Sequence, residues 1–94
     1  MGKLFHLSVL TAEKTLFEGE VSGANIPTPF GSVGILARHA PLLCAVERGI
    51  LRCTMDSGET LRIPVGEGVA SVSEGELTLL VAESKTEEDT NVQA

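Results

Sequence analysis

Apolar and polar residues alternate with a period of two along most of this chain, and that alternation limits what it can fold into. Phe5, Leu7 and Val9 share one parity, and His6 and Ser8 share the other. A β-strand sends successive side chains to opposite faces, so such a stretch buries one face and leaves the other in water. Turn signals break the alternation at about the 8 to 12-residue spacing typical of sandwiches and barrels. Arg48-Gly49, Asp56-Ser57-Gly58, Gly66-Glu67-Gly68 and Glu74-Gly75 are such signals. No long amphipathic helix pattern precedes residue 83.

The expected strands cover residues 3–10, 15–26, 33–36, 42–47, 50–55, 59–65, 69–73 and 76–82. The second is long, and Gly19 and Gly23 inside it suggest a bulge or bend. Residues 27–32, Pro-Thr-Pro-Phe-Gly-Ser, read as a loop. The expected fold is all-β: a flattened two-sheet sandwich or barrel of short, mostly antiparallel strands, with a meander from Leu42 onward. Residues 1–82 form the expected domain, and residues 83–94 an acidic tail with too few apolar groups to offset the entropy of ordering it.

Composition narrows the function. A chain of 94 residues with a formal charge of −6 lacks the clustered Lys and Arg that nucleic acid or anionic lipid would need. It has no Trp or Tyr, so platforms for stacking bases or sugars are missing. No apolar run approaches the roughly 20 residues needed to cross a bilayer, and the N-terminus lacks the apolar core of a secretion signal. Nucleic acid binding and direct membrane insertion are not expected, and the chain reads as cytosolic.

The chemical groups are few. With Arg48-Gly49 as a two-residue hairpin loop, Cys44 would face Cys53 across a strand pair. Leu42, Cys44, Val46, Leu51, Cys53 and Met55 would then share one apolar face, with both thiols packed as small hydrophobes. His6 and His39 have no second ligand at metal spacing. His39 is expected to hydrogen-bond neighbouring backbone. Gly66-Glu67-Gly68 leads into a strand, whereas a phosphate loop must lead into a helix. No catalytic, cofactor or metal site is expected.

One block does not follow from these general rules: Gly34-Ile35-Leu36-Ala37-Arg38-His39-Ala40-Pro41-Leu42-Leu43, continued by Gly49-Ile50-Leu51-Arg52. With the opening run Leu7 to Gly19, it resembles the N-terminal domain of the F-type ATP synthase epsilon subunit, the relative of mitochondrial delta. The likeness covers almost the whole chain to Ala82. It departs from the family pattern where Glu67 splits a Gly pair, where Ala37-Arg38 replaces a common Pro-Gly, and where the segment Thr28 to Ser32 carries no acidic residue.

The resemblance implies a non-catalytic central-stalk subunit of F1Fo, joining the gamma subunit and the c ring in one rotor during proton- or sodium-driven ATP synthesis. It implies a peripheral place on the cytoplasmic face of the inner (plasma) membrane. Thr28, Pro29, Phe30, Gly31 and Ser32 correspond to the loop that rests on the c ring, while Thr11, Arg38, His39 and Leu43 fall in segments facing gamma. Family members continue into a two-helix hairpin that a tail of about a dozen residues cannot supply, so neither inhibition by helix insertion nor nucleotide binding is expected. Without the resemblance, the residues describe a small β-sandwich adaptor of another complex.

Overall fold

In the computed structural model, which describes residues 3–83, the alternation of the sequence becomes alternation of burial. β1 (Phe5–Leu10) buries Phe5, Leu7 and Val9 and leaves His6, Ser8 and Leu10 half-buried on the other face. β2 (Thr15–Val21), β3 (Gly23–Thr28), β4 (Gly31–Leu36), β5 (Leu42–Val46), β6 (Gly49–Thr54), β7 (Thr60–Val65), β8 (Gly68–Ser73) and β9 (Glu76–Val81) complete the set, with no helix among the described residues. From Ser84 onward the expected tail lies outside the described residues.

The strands form two sheets, one of order β2-β1-β9-β8-β5 and one of order β4-β3-β6-β7, both open at their edges. The architecture is therefore a sandwich and not a closed barrel. Between the sheets lie Leu7, Val9, Val21, Ile26, Ile35, Leu51, Val65, Leu77 and Leu79, all essentially inaccessible to water. Burying such a side chain contributes about 1.5 to 3 kcal/mol each. All strand pairs are antiparallel except β1 with β9, which run parallel with Leu7 beside Leu77 and Val9 beside Leu79.

The chain visits the sheets alternately. β1 and β2 lie in the five-stranded sheet, β3 and β4 in the four-stranded one, β5 in the first, β6 and β7 in the second, and β8 and β9 in the first again. Three sequence expectations change as a result. The long strand over residues 15–26 breaks at Ser22, where its amide and hydroxyl both donate to the Thr54 carbonyl oxygen, at 2.8 and 3.2 Å. Up to Val21 it belongs to one sheet, and from Gly23 to the other. The one register shift lies elsewhere, between Val9 and Leu10 in the β1–β2 pair.

Cys44 and Cys53 do not face each other across a hairpin. β5 pairs with β8, setting Cys44 beside Ala70, while β6 pairs with β3 and β7, setting Cys53 beside Ala24 and Leu61. Glu47 and Arg48 make a crossing between sheets, anchored where the Glu47 amide donates to the Pro27 carbonyl at 2.9 Å. The apolar residues expected on one face still point into one core, but from two opposed sheets. Likewise the segment expected to run as a meander from Leu42 is two hairpins, β6–β7 and β8–β9, linked by a crossing.

The expected loop over residues 27–32 is shorter than its Pro and Gly content suggests. β3 and β4 pair as far as Thr28 and Gly31, leaving only Pro29 and Phe30 as the turn. Gly31 takes a φ of 110°, a conformation that other residues adopt only at a cost. Where β8 begins, a Cβ on Gly68 would collide with the backbone of Leu80 and Val81, so only glycine admits this close approach to β9.

Candidate interaction surfaces

The β3–β4 turn is held rigidly from below. The Thr28 hydroxyl accepts from the Phe30 amide at 3.1 Å and donates to the Gly31 carbonyl at 2.6 Å. Pro29 presets the backbone angle of the first corner residue. The result is a stiff tip carrying Phe30 at 97% exposure, against 8% for Thr28 beneath it. Pro29, Gly31 and Ser32 are exposed beside it. A rigid aromatic ring presented to water at a loop tip loses little entropy when a partner covers it.

Thr11 does similar work at the turn after β1. Its hydroxyl accepts from the Glu13 and Lys14 amides at 3.2 and 3.1 Å and donates to the Lys14 carbonyl at 3.2 Å. At 8% exposure, Thr11 shapes its surroundings more than it presents a surface. Lys14 at the same turn pairs with Glu83 at 3.0 Å.

Arg38 and His39 lie in the link between β4 and β5. Arg38 is exposed and holds a φ of 71°, a left-handed conformation unfavourable for a side chain with a Cβ. His39 Nδ1 donates to the Ala40 carbonyl at 2.7 Å, the neighbouring-backbone bond expected of it. Together with Gly75 and Glu76 these residues line a depression of about 10 Å³, room for at most one water.

Leu43 is 73% exposed on the outer face of the five-stranded sheet. The strand registers place Ala45, Val69, Leu80 and Leu10 in one row across that face, next to the row containing Leu43. Thr11 follows Leu10 at the far end, three strand spacings from β5, or roughly 14 Å. Val69 and Leu80 are both substantially exposed. The sequence reading missed this row, although a signal existed: in β9, Leu80 is apolar at the outward parity that Thr78 shares.

Elsewhere on the same face, His6 sits between two carboxylates. Its Nδ1 lies 3.1 Å from Glu20 and its Nε2 3.1 Å from Glu18. Satisfying both requires both nitrogens to donate, so the site favours the imidazolium. The hydrogen bond to Glu20, then that to Glu18, raises the His6 pKa above its ordinary value. Burial raises that of Cys53. Among the described residues, no group of three or more His, Cys, Asp or Glu could hold a metal ion.

The fold is thus that of a two-sheet sandwich whose conspicuous features are an exposed aromatic tip and an apolar row across one outer face. These features suit contact between proteins. The chain belongs to the ATP synthase delta/epsilon family: residues 4–86 match the family described as ATP synthase, Delta/Epsilon chain, beta-sandwich domain. An ATP synthase epsilon chain of Afipia carboxidovorans is 42% identical over 76 residues, covering 81% of this chain and 55% of the relative. One from Rhodopseudomonas palustris (strain BisB5) is 37% identical over 89 residues, covering 95% and 65%. The chloroplastic epsilon chain of Piper cenocladum is 34% identical over 88 residues, covering 94% and 65%.

The chain therefore spans between about half and two thirds of the length of these relatives. The same fold occurs in a chain of the Euglena gracilis mitochondrial ATP synthase, solved with OSCP, F1 and c-ring, with a TM-score of 0.81 at 18% identity, covering 96% of this chain and 62% of that one. It occurs again in the central stalk/c-ring structure of the Tetrahymena thermophila mitochondrial ATP synthase, with a TM-score of 0.69 at 13% identity, covering 87% and 66%.

Proposed function

We propose that this chain is a non-catalytic subunit of the ATP synthase central stalk, joining the gamma subunit to the c ring so that ion-driven rotation reaches catalytic sites on other subunits. The observation that carries the proposal is the β3–β4 tip, where Phe30 is 97% exposed on a turn locked by the Thr28 hydroxyl. A phenyl ring presented on a fixed turn offers a partner apolar area without a loop having to be ordered on binding. Its role is to rest on the polar loops of the c ring, through apolar contact because the tip carries no acidic residue.

The outer face of the five-stranded sheet then serves gamma. Leu43, Val69 and Leu80 supply an apolar patch, Arg38 and His39 border it at one corner, and Thr11 shapes the turn at the opposite one. This arrangement transmits torque and performs no bond chemistry. The subunit binds no nucleotide in this role and sits peripherally with F1 on the cytoplasmic face of the membrane.

The test is co-purification. Tagged chain expressed in its native host should bring down gamma, the c ring and the catalytic hexamer. Phe30→Ala should leave the melting temperature of the isolated chain within about 2 °C of the parent, as surface changes usually do, and should lower recovery of the c ring. Recovery of an unrelated partner set would defeat the proposal. Unfolding by Phe30→Ala would place the ring in the core and defeat the contact assignment.

A further inference from the structure

The outer face of the four-stranded sheet has a composition unlike the rest of the surface. Register places Asn25 of β3, Arg52 of β6 and Arg62 of β7 in one row across it, with Arg52 and Arg62 directly opposite each other. Residues directly opposite on antiparallel strands have Cβ atoms about 4.5 to 5.5 Å apart, and like charges there are destabilising. Asn25, Arg52 and Arg62 are all exposed. Among the described residues neither arginine takes part in an ion pair.

Among the described residues no carboxylate lies within ion-pair distance of either arginine. The remaining outward positions of this sheet, among them Thr54, Thr60 and Pro64, are uncharged. The other sheet's outer face, by contrast, carries Glu18, Glu20 and Glu76 around His6. Among the described residues of a chain of net charge −6, two adjacent cations without an ion-pair partner thus share one face. β7, which carries Arg62, is also an edge strand with a free side.

We propose that this face docks an acidic segment of a neighbouring protein subunit, one presenting two carboxylates to Arg52 and Arg62, with Asn25 as a further hydrogen-bonding partner. Arginine forks grip carboxylates bidentately, and two carboxylates one helical turn apart, or two residues apart on a strand, match the spacing of the pair. Nucleic acid and anionic membrane demand larger basic clusters and would be repelled by the acidic remainder of the surface. The inference rests on the central-stalk reading only in seeking the partner within the ATP synthase.

The test exploits the conflict between the two arginines. Arg62→Glu converts a repulsive cross-strand pair into an attractive one, so the isolated chain should melt at the same or a higher temperature. The variant should nevertheless be retained in ATP synthase purified from the native host at least tenfold less well in about 50 mM salt, and the difference should shrink at about 300 mM as screening removes the parent's advantage. Arg62→Gln, which adds no new charge, should show an intermediate loss and serves if the Glu variant fails to fold. A photo-crosslinker at Thr60 in the assembled complex should trap a peptide with two carboxylates within about four residues.

Retention of both variants at the parental level would overturn the inference, as would a trapped peptide without carboxylates or no trapped peptide. A crosslinker at Phe30 separates the two proposals. If Phe30 reaches the c ring and Thr60 traps nothing acidic, only the docking face fails; if Phe30 reaches no ATP synthase subunit, the central-stalk reading itself fails.

Discussion

Single residues here often serve shape and contact at once, and Arg38 shows the tension most plainly. A residue with a Cβ held at φ 71° bears a penalty of roughly 1 to 2 kcal/mol, which glycine would avoid at the expense of a more flexible unfolded chain. Arg38→Gly should therefore raise stability by up to about 1 kcal/mol in urea unfolding, while weakening association with gamma if the guanidinium contributes there. A loss of stability would mean that the arginine side chain holds the link in place. His6 offers a second readout. Because Glu20 and Glu18 raise its folded pKa, its contribution to stability is fully present below the ordinary histidine value of 6.5 and is lost as pH rises through the higher folded value. The melting temperature should fall slightly between pH 6 and pH 8 on this account, and His6→Gln should flatten that part of the profile. An unchanged slope in the variant would assign the pH dependence to other groups.

The elements were legible in the sequence to within a residue or two wherever alternation was regular. β6, β7, β8 and β9 begin and end close to the expected positions, because an inward apolar residue at every second position marks a strand without knowledge of its neighbours. Errors came at the crossings. Glu47-Arg48 carries the same turn signal whether the chain doubles back in one sheet or passes to the other, and the inward parity of Cys44 and Cys53 is identical in both cases. The structure sets them in opposed sheets, Cys44 on β5 and Cys53 on β6. Both cysteines are free, Cys53 fully buried and Cys44 only partly so. A maleimide should label Cys44 first in the native chain and reach Cys53 only on unfolding. Equal rates would contradict the burial of Cys53.

At the scale of the molecule, the parallel pairing of β1 with β9 joins the β1–β2 hairpin to β8 and β5 in one sheet, bringing the first described strand beside the last. Leu7 lies at the centre of that seam, beside Leu77 and inaccessible to water. Leu7→Ala should cost roughly 2 to 5 kcal/mol in chemical denaturation, a large part of the 5 to 15 kcal/mol that a typical domain commands. A loss below 1 kcal/mol would mean that the seam is not central to the core. The exposed features proposed as contacts were only partly readable in the sequence. Phe30 stood out as an aromatic residue among turn residues. The row of Val69 and Leu80 and the opposed Arg52 and Arg62 did not, since each depends on the exact register of a strand pair, which alternation alone leaves open.

The alternation of Phe5, Leu7 and Val9, repeated from strand to strand, determined by itself that this chain is all-β, where most of its strands lie and which of their side chains face inward, and the block from Gly34 to Leu43 marked its family. Those are local properties: a strand has two faces, and burial selects one of them whatever lies alongside. Only the tertiary structure decided which strands are neighbours, that the chain passes between sheets at Ser22 and at Glu47-Arg48, and that two arginines ten residues apart stand opposite each other. Pairing is a long-range choice among strands with the same inward pattern, and it is settled by how the two sheets close over one shared core.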